Sequence, residues 1–370
     1  MRVRAVAGGI ALAFTPGFNV ANIGAVADRI AHTYGVGLGV VGLFTTGLFV
    51  THAAMQVPAG RLCDRFDART VGGVGLLVVA GASFAAAFGP RDAAFAIGMR
   101  TVAGLGTAGA FVGGSDYVRA TIGSAVAQGV YGAVSMAAGG LALALVPLWA
   151  SWRAPFVLAA VIATAGAVVL VFAPEPRTRP QVARRLPTVF DRRLLPLATL
   201  HAASFGLSII VGNWVVTLLQ RSGGDSERVA GVAGGLVLLV GVVSRPLGGR
   251  FVDRPRIIAA GFVLGGVGMA GLAVAKPLPL VVVAAVLVGF SAGLPFAPSF
   301  TGAARARPDA PGAAIGAVNM AAAVLILVGT PIVGLTFSLP GGGRSAFVVI
   351  AVLWAATATV VHKALIWGAE

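Results

Sequence analysis

Residues 60–65 read Gly60-Arg61-Leu62-Cys63-Asp64-Arg65, and residues 249–254 read Gly249-Arg250-Phe251-Val252-Asp253-Arg254. Both stretches run glycine, arginine, an apolar residue, a variable one, aspartate and arginine, 189 positions apart. Each follows an apolar run, so one polar turn is used twice. A second pair supports the offset. Gly132-Ala133-Val134-Ser135-Met136-Ala137-Ala138 matches Gly316-Ala317-Val318-Asn319-Met320-Ala321-Ala322, 184 positions on. Alanine and glycine recur by chance in such a chain, but two matches at nearly equal offsets indicate an internal duplication.

Around these turns, apolar runs of about 20 residues recur along the whole chain, each long enough to cross a bilayer core. Of 370 residues, 58% are hydrophobic and 11% charged. A soluble domain carries about 25% charged residues, so this chain cannot cover a water-facing surface. The 53 glycines follow no three-residue period, which excludes collagen, and the apolar content excludes disorder. Twelve spans are expected, near 5–31, 38–60, 70–89, 93–115, 124–149, 153–173, 194–220, 228–250, 257–275, 279–303, 311–338 and 345–367. The first run is longer than the apolar core of a signal peptide, about 7–15 residues, and is read as a spanning helix. Pro174 to Arg193 is the one long polar stretch, rich in arginine and broken by Pro174, Pro176, Pro180 and Pro187. It divides an all-α membrane protein into helices within 1–173, a linker at 174–193 and helices within 194–370.

The net charge is +15. Eighteen basic residues fall in the set of loops that includes both ends and the linker, against seven in the alternate set. That asymmetry predicts cytoplasmic termini. With no extended basic face and no interleaved aromatics, the charge does not describe a nucleic-acid partner. The single cysteine, Cys63, excludes an intramolecular disulfide and a cysteine metal cluster. His32, His52, His201 and His362 are dispersed, and no phosphate-binding Gly-x-x-x-x-Gly-Lys loop occurs. The expectation is therefore a protein that is not an enzyme and uses no metal or cofactor.

Gly60 to Arg69 resembles the cytoplasmic loop motif of the major facilitator superfamily, G-x-L-x-D-R-x-G-R-[RK]. Asp67 stands where the second glycine is expected and Ala68 where an arginine is, and Pro255 cuts the second copy short. In the fourth run, Arg100-Thr101-Val102-Ala103-Gly104-Leu105-Gly106-Thr107-Ala108 resembles the superfamily pattern R-x-x-x-G-x-G-x-G. Arg245 to Asp253 is similar to the span-eight segment of nitrate/nitrite porters, where an arginine binds the anion. Their second arginine, on span two, is matched here by Gln56, and their glycine-dense span five only by Gly129, Gly132, Gly139 and Gly140.

The resemblance implies the major facilitator fold, twelve transmembrane helices in two pseudo-symmetric six-helix bundles with both termini cytoplasmic. It also implies a monomer in the cell's inner membrane that moves a small solute by rocking the bundles around a central site. In the loop motif, Gly60 and Gly249 would allow close helix approach, and Asp64 and Asp253 would accept hydrogen bonds from neighbouring helices. Arg65, Arg69 and Arg254 would pair with acids, Asp116 being a candidate. These contacts would latch one face.

An arginine inside an apolar span is costly and faces a cavity or a partner. Arg245 is the expected anchor for a small anion; a structural contact to carbonyls is the alternative. Arg100 is assigned to coupling, with snorkelling to the interface as the alternative. No acidic residue falls at mid-span, leaving His52 and His201 as groups that titrate near neutral pH. His201 is assigned to coupling and His52 to the cavity, against a packing role for each. Asn19, Asn22, Gln56, Gln128, Tyr131, Asn213, Trp214 and Asn319 complete the expected cavity, on the spans that line it in the superfamily. A positive, carboxylate-free cavity favours an anionic small molecule. An efflux carrier for hydrophobic or cationic compounds and a ligand-binding sensor are the competing readings.

Overall fold

The computed structural model describes residues 2–122, 125–175, 191–274, 277–307 and 311–366, and every regular element among them is helical. Helix is what hydrocarbon demands, because each backbone N–H and C=O must find its partner within the segment. Eleven helices are long and apolar enough to cross a bilayer. In the first half they are α1 (Arg2–Ala21), α3 (Ala68–Phe88), α4 (Ala93–Thr121), α5 (Ala125–Leu145) and α6 (Ala154–Val171). The second half holds α7 (Leu194–Arg221), α8 (Glu227–Phe251), α9 (Pro255–Val274), α10 (Leu278–Ala303), α11 (Pro311–Thr336) and α12 (Arg344–Leu365). The twelfth crossing, α2, is Leu38–Ala54 continued by Gln56–Phe66 after a break at Met55. The expected spans coincide with these helices apart from their ends. Most of the expected linker, 176–190, lies outside the described residues.

Local chemistry sets the breaks. Pro295 interrupts α10, which restarts at Phe296. A π turn at Ala202–Gly206 interrupts α7; such turns widen a helix locally and recur at functional sites. Between α2 and α3, Asp67 takes φ 75°, a left-handed value natural to glycine. That is the position where the loop motif expects glycine. Asp67 holds the turn with its side chain, accepting from the Thr70 backbone N–H at 2.9 Å and from the Thr70 hydroxyl at 2.7 Å.

The duplication seen in the sequence returns in the packing. Gly17 lets α1 meet the Ser135 backbone of α5, and its counterpart Gly206 lies against Ala322 of α11. Gly42 of α2 faces Pro331 of α11, and Gly231 of α8 faces Pro147 beyond α5. Gly42 and Gly231 differ by the first offset, Pro147 and Pro331 by the second. These are therefore two copies of one contact between the halves. Gly24 against the Asn213 backbone is a third close approach across the same boundary.

All of these inter-half approaches lie toward the face opposite the one where α1 begins and α12 ends. Hydrogen bonds reinforce that closure. Asn213 donates to the Val20 carbonyl at 3.2 Å and accepts from Thr45 at 2.9 Å, while Thr46 donates to the Leu327 carbonyl at 2.7 Å. Two ion pairs cross there as well, Arg29 with Glu227 and Arg221 with Asp28. At the other face, Gln56–Phe66 and Phe296–Ala306 pack mainly within their own halves. The halves are thus closed on one face and parted toward the other. Outward-facing Val74, Leu77, Phe84, Val263 and Val267 give the bundle its apolar perimeter.

Candidate functional site

Between the halves lies a narrow cavity of about 40 Å³, lined by Gly17, Val20, Phe111, Ser135, Met136 and Gly139 from the first half. The second half contributes His201, Phe205, Ile209, Leu238, Arg245, Phe296, Phe300 and Asn319. A water occupies roughly 10–15 Å³ by this kind of measure, so a solute fits only when the halves part further. Ser135 and Asn319 are repeat-related, and they face this cavity from α5 and α11.

The breaks in α7 and α10 build the second-half wall. His201 precedes the π turn and Phe205 lies within it, and their rings stack at 5.4 Å with 18° between planes. The restart after Pro295 puts Phe296 and Phe300 one turn apart on one helix face, with ring centroids 4.6 Å apart. Phe300 also lies 4.8 Å from the His201 ring. His201 Nε2 meets Asn319 Oδ1 at 3.1 Å, and its Nδ1 is buried without a partner.

Arg245 enters this wall from α8, 5% exposed. Its guanidinium carbon sits 4.1 Å from the Phe296 ring centroid and 5.7 Å from that of Phe205. Nη1 donates to the Gly132 carbonyl of α5 at 2.8 Å, a bond across the halves. Nε is buried and unpartnered. Among the described residues no carboxylate pairs with Arg245. Burying a guanidinium without a counter-charge is expensive.

Behind Phe111 sits a second polar group. Tyr131 donates to the Phe111 carbonyl at 2.7 Å, and the His52 ring lies 6.2 Å from that of Phe111. His52 Nδ1 meets the Thr107 hydroxyl at 3.0 Å, and Gln56 donates to the His52 carbonyl at 3.4 Å. The Gln128 side chain lies outside the described residues.

The remaining candidates gather elsewhere, in the closed layer. Arg100, 2% exposed, donates to Asn19 Oδ1 at 3.0 Å, to the Asn19 carbonyl at 2.6 Å and to the Phe44 carbonyl at 3.3 Å. Asn22 donates to the Pro155 carbonyl at 2.9 Å, and Trp214 to the Thr330 carbonyl at 2.8 Å. Asn213 forms the inter-half bonds given above. Sequence reasoning named Arg245, His201 and Asn319, which the fold brings together. It missed Phe205, Phe296, Phe300 and the four charged residues of the closed face; the proline at 295 was a signal for the aromatic pair.

In the loop motif, Asp64 and Arg65 side chains lie outside the described residues. Arg69 donates to the Ala173 carbonyl at 2.8 Å and lies 3.8 Å from Glu175, while Asp253 lies 3.7 Å from Arg305. Arg254 is exposed and Asp116 half-buried. A Cβ at Gly60 or Gly249 would meet its nearest neighbour at 3.9 or 3.7 Å, ordinary contact, so neither glycine is crowded while this face is parted.

The family model of the Major Facilitator Superfamily matches residues 9–330. The chain belongs to that superfamily. Its structure is similar to that of the nucleoside transporter NupG, at 13% identity and a TM-score of 0.77, over 98% of this chain and 99% of that one. It is also similar to a bacterial homolog of the human lysosomal transporter Spinster in an inward-facing, occupied conformation. There the identity is 14% and the TM-score 0.74, over 100% of this chain and 95% of that one. At such identities the likeness is one of fold. A comparison with curated protein sequences finds no match. As a superfamily member the chain is a multi-pass membrane protein and a transporter of small molecules, with the cavity between its halves as the candidate binding site.

Proposed function

We propose that this transporter carries a small anion, held by Arg245 while the two halves rock about the central cavity. The halves would be 1–173 and 194–370, joined by a cytoplasmic linker in an inner-membrane monomer, so that the parted face is the cytoplasmic one. The observation that carries the reading is Arg245 itself, buried between the halves with Nε unpartnered and no described carboxylate beside it. Asn319 and His201 would complete the ligand's surroundings, with Tyr131, His52 and Gln56 a shell behind Phe111. Gln128 would join that shell. His201, which lines the same cavity and whose Nδ1 is unpartnered, would take up a coupling proton. Arg100, Asn19, Asn22, Asn213 and Trp214 would act on the closure rather than on the ligand. Gly60, Asp64, Arg65, Arg69, Asp116, Gly249, Asp253 and Arg254 would form the latch of the opposite face when the halves rock.

A second reading, export of hydrophobic or cationic compounds, draws on the aromatic wall of Phe205, Phe296 and Phe300. The guanidinium in that wall opposes a cationic cargo. Thermal-shift screening of the detergent-purified protein against small anions separates the two readings. A ligand that binds the folded state raises its melting temperature by mass action. The anion reading expects a shift in the native chain that Arg245→Ala abolishes; an equal shift in both proteins makes the arginine structural and favours export.

A further inference from the structure

Resting on the anion reading, we infer that the ligand is an aromatic monocarboxylate, its carboxylate on the free edge of Arg245 and its ring among the rings of α7 and α10. Phe296 covers a face of the guanidinium at 4.1 Å and Phe205 approaches at 5.7 Å, so its edge is what is left for a ligand. Nη1 is held by the Gly132 carbonyl, whereas Nε is unpartnered and Nη2 makes no hydrogen bond among the described residues. Nε and Nη2 together form the side-on edge that a planar carboxylate meets with two parallel bonds. A second carboxylate would find no cation, since among the described residues Arg245 is the only Lys or Arg lining the cavity.

The rest of the lining decides the body of the ligand. A bare inorganic anion needs donors on every side to replace its hydration. Here the other polar side chains are His201, Asn319 and Ser135, and most of the wall is carbon. Phe205, Phe300 and the His201 ring offer faces and edges to one flat apolar body. Across from them stand the apolar side chains of Val20, Phe111 and Met136. A flat ring with one carboxylate satisfies each of these surfaces; a compact anion leaves the carbon wall unused.

The test is a thermal-shift titration of the detergent-purified full chain with benzoate, cyclohexanecarboxylate, acetate, nitrate, phthalate and benzylamine. Benzoate is expected to bind at least tenfold tighter than cyclohexanecarboxylate, and acetate, nitrate and phthalate to bind far more weakly. Phe300→Ala should weaken benzoate about tenfold. Arg245→Lys, which keeps the charge but loses the two-pronged edge, should also weaken it about tenfold. Nitrate or acetate binding as well as benzoate overturns the aromatic inference and leaves the anion reading standing. Benzylamine binding in place of benzoate, or no carboxylate or nitrate binding at all, overturns both. Wild-type-like benzoate affinity in Phe300→Ala and Arg245→Lys also overturns the inference, because the ligand would then sit elsewhere.

Discussion

Two arginines are buried inside spans of this chain, and they are bonded in opposite ways. Arg100, in the closed layer, has all three guanidinium nitrogens engaged, by Asn19 twice and by the Phe44 carbonyl. Arg245, in the cavity, makes a single hydrogen bond among the described residues and leaves Nε buried without a partner. Their exposures are nearly equal, 2% and 5%, so burial does not separate them. What separates them is whether the surroundings complete the charge. A completed arginine ties α4 to α1 and α2; an incomplete one keeps hydrogen-bonding capacity free between the halves.

The largest expected effect comes from removing each arginine in turn. Arg100→Ala strips Asn19 of its donors, and each buried acceptor left unsatisfied costs about 1–3 kcal/mol. The variant should lose about 3 kcal/mol of stability and melt many degrees lower. Arg245→Ala removes a charge that no described residue neutralises, and so relieves the desolvation cost of burying it. It should melt at or above the native temperature while losing ligand-induced stabilisation and transport. Thermal unfolding of both variants, with and without ligand, reads the contrast directly. Equal destabilisation by the two substitutions would break the comparison.

The closed layer itself gives the next effects. A Cβ at Gly42 would stand 2.6 Å from the Pro331 Cα, and one at Gly231 would stand 2.5 Å from the Leu143 carbonyl oxygen and 2.9 Å from the Pro147 ring. Overpacking of this kind costs about 1–3 kcal/mol, here charged against one conformation only. Gly42→Ala and Gly231→Ala should each shift the population toward the form open at that face, and by similar amounts because both meet backbone of the other half. Spin-label distances across the face measure the shift. Smaller again are the ion pairs, because their side chains are partly exposed. A double-mutant cycle with Arg29→Ala and Glu227→Gln should give a coupling of about 1 kcal/mol or less, weakening with salt. A coupling that survives high salt would move this pair into the class of Arg100.

The contrast between the two arginines was not legible in the sequence. Both stood out there as charges inside apolar runs, and both were read as functional; only the fold shows that Asn19 lies beside one of them. The twelve crossings were legible because length and hydropathy alone decide them, and the duplication because Gly60-Arg61 and Gly249-Arg250 sit in polar turns that punctuate apolar sequence. Phe205, Phe296 and Phe300 were not, because phenylalanine in a span does not stand out from its apolar neighbours. The pairs Arg29–Glu227 and Arg221–Asp28 join residues nearly 200 positions apart, where spacing carries no information. His201 was visible as a lone histidine, but its stacking on Phe205 depends on a π turn that no local pattern announced.

The same lesson, that a polar group is understood through what completes it, applies to the two copies of the loop motif. In the first copy Asp67 takes φ 75° and ψ 150°, a region essentially confined to glycine, where a side chain costs about 1–3 kcal/mol. It recovers part of that cost by capping α3 through the Thr70 N–H, and a cap is worth about 1 kcal/mol. Asp67→Gly therefore exchanges one term for the other and should leave stability unchanged or raise it by up to about 2 kcal/mol. Asp67→Ala keeps the strained backbone and loses the cap, and should cost about 1 kcal/mol. The second copy supplies the control. Arg256 occupies the equivalent position inside α9, which begins at Pro255, so no such turn forms there. Arg256→Gly should thus behave as glycine does in any helix, costing up to about 1 kcal/mol with no compensating relief. If Asp67→Gly costs as much as Asp67→Ala, the cap alone holds the turn, and the glycine expected at this position serves the latch of the other conformation instead.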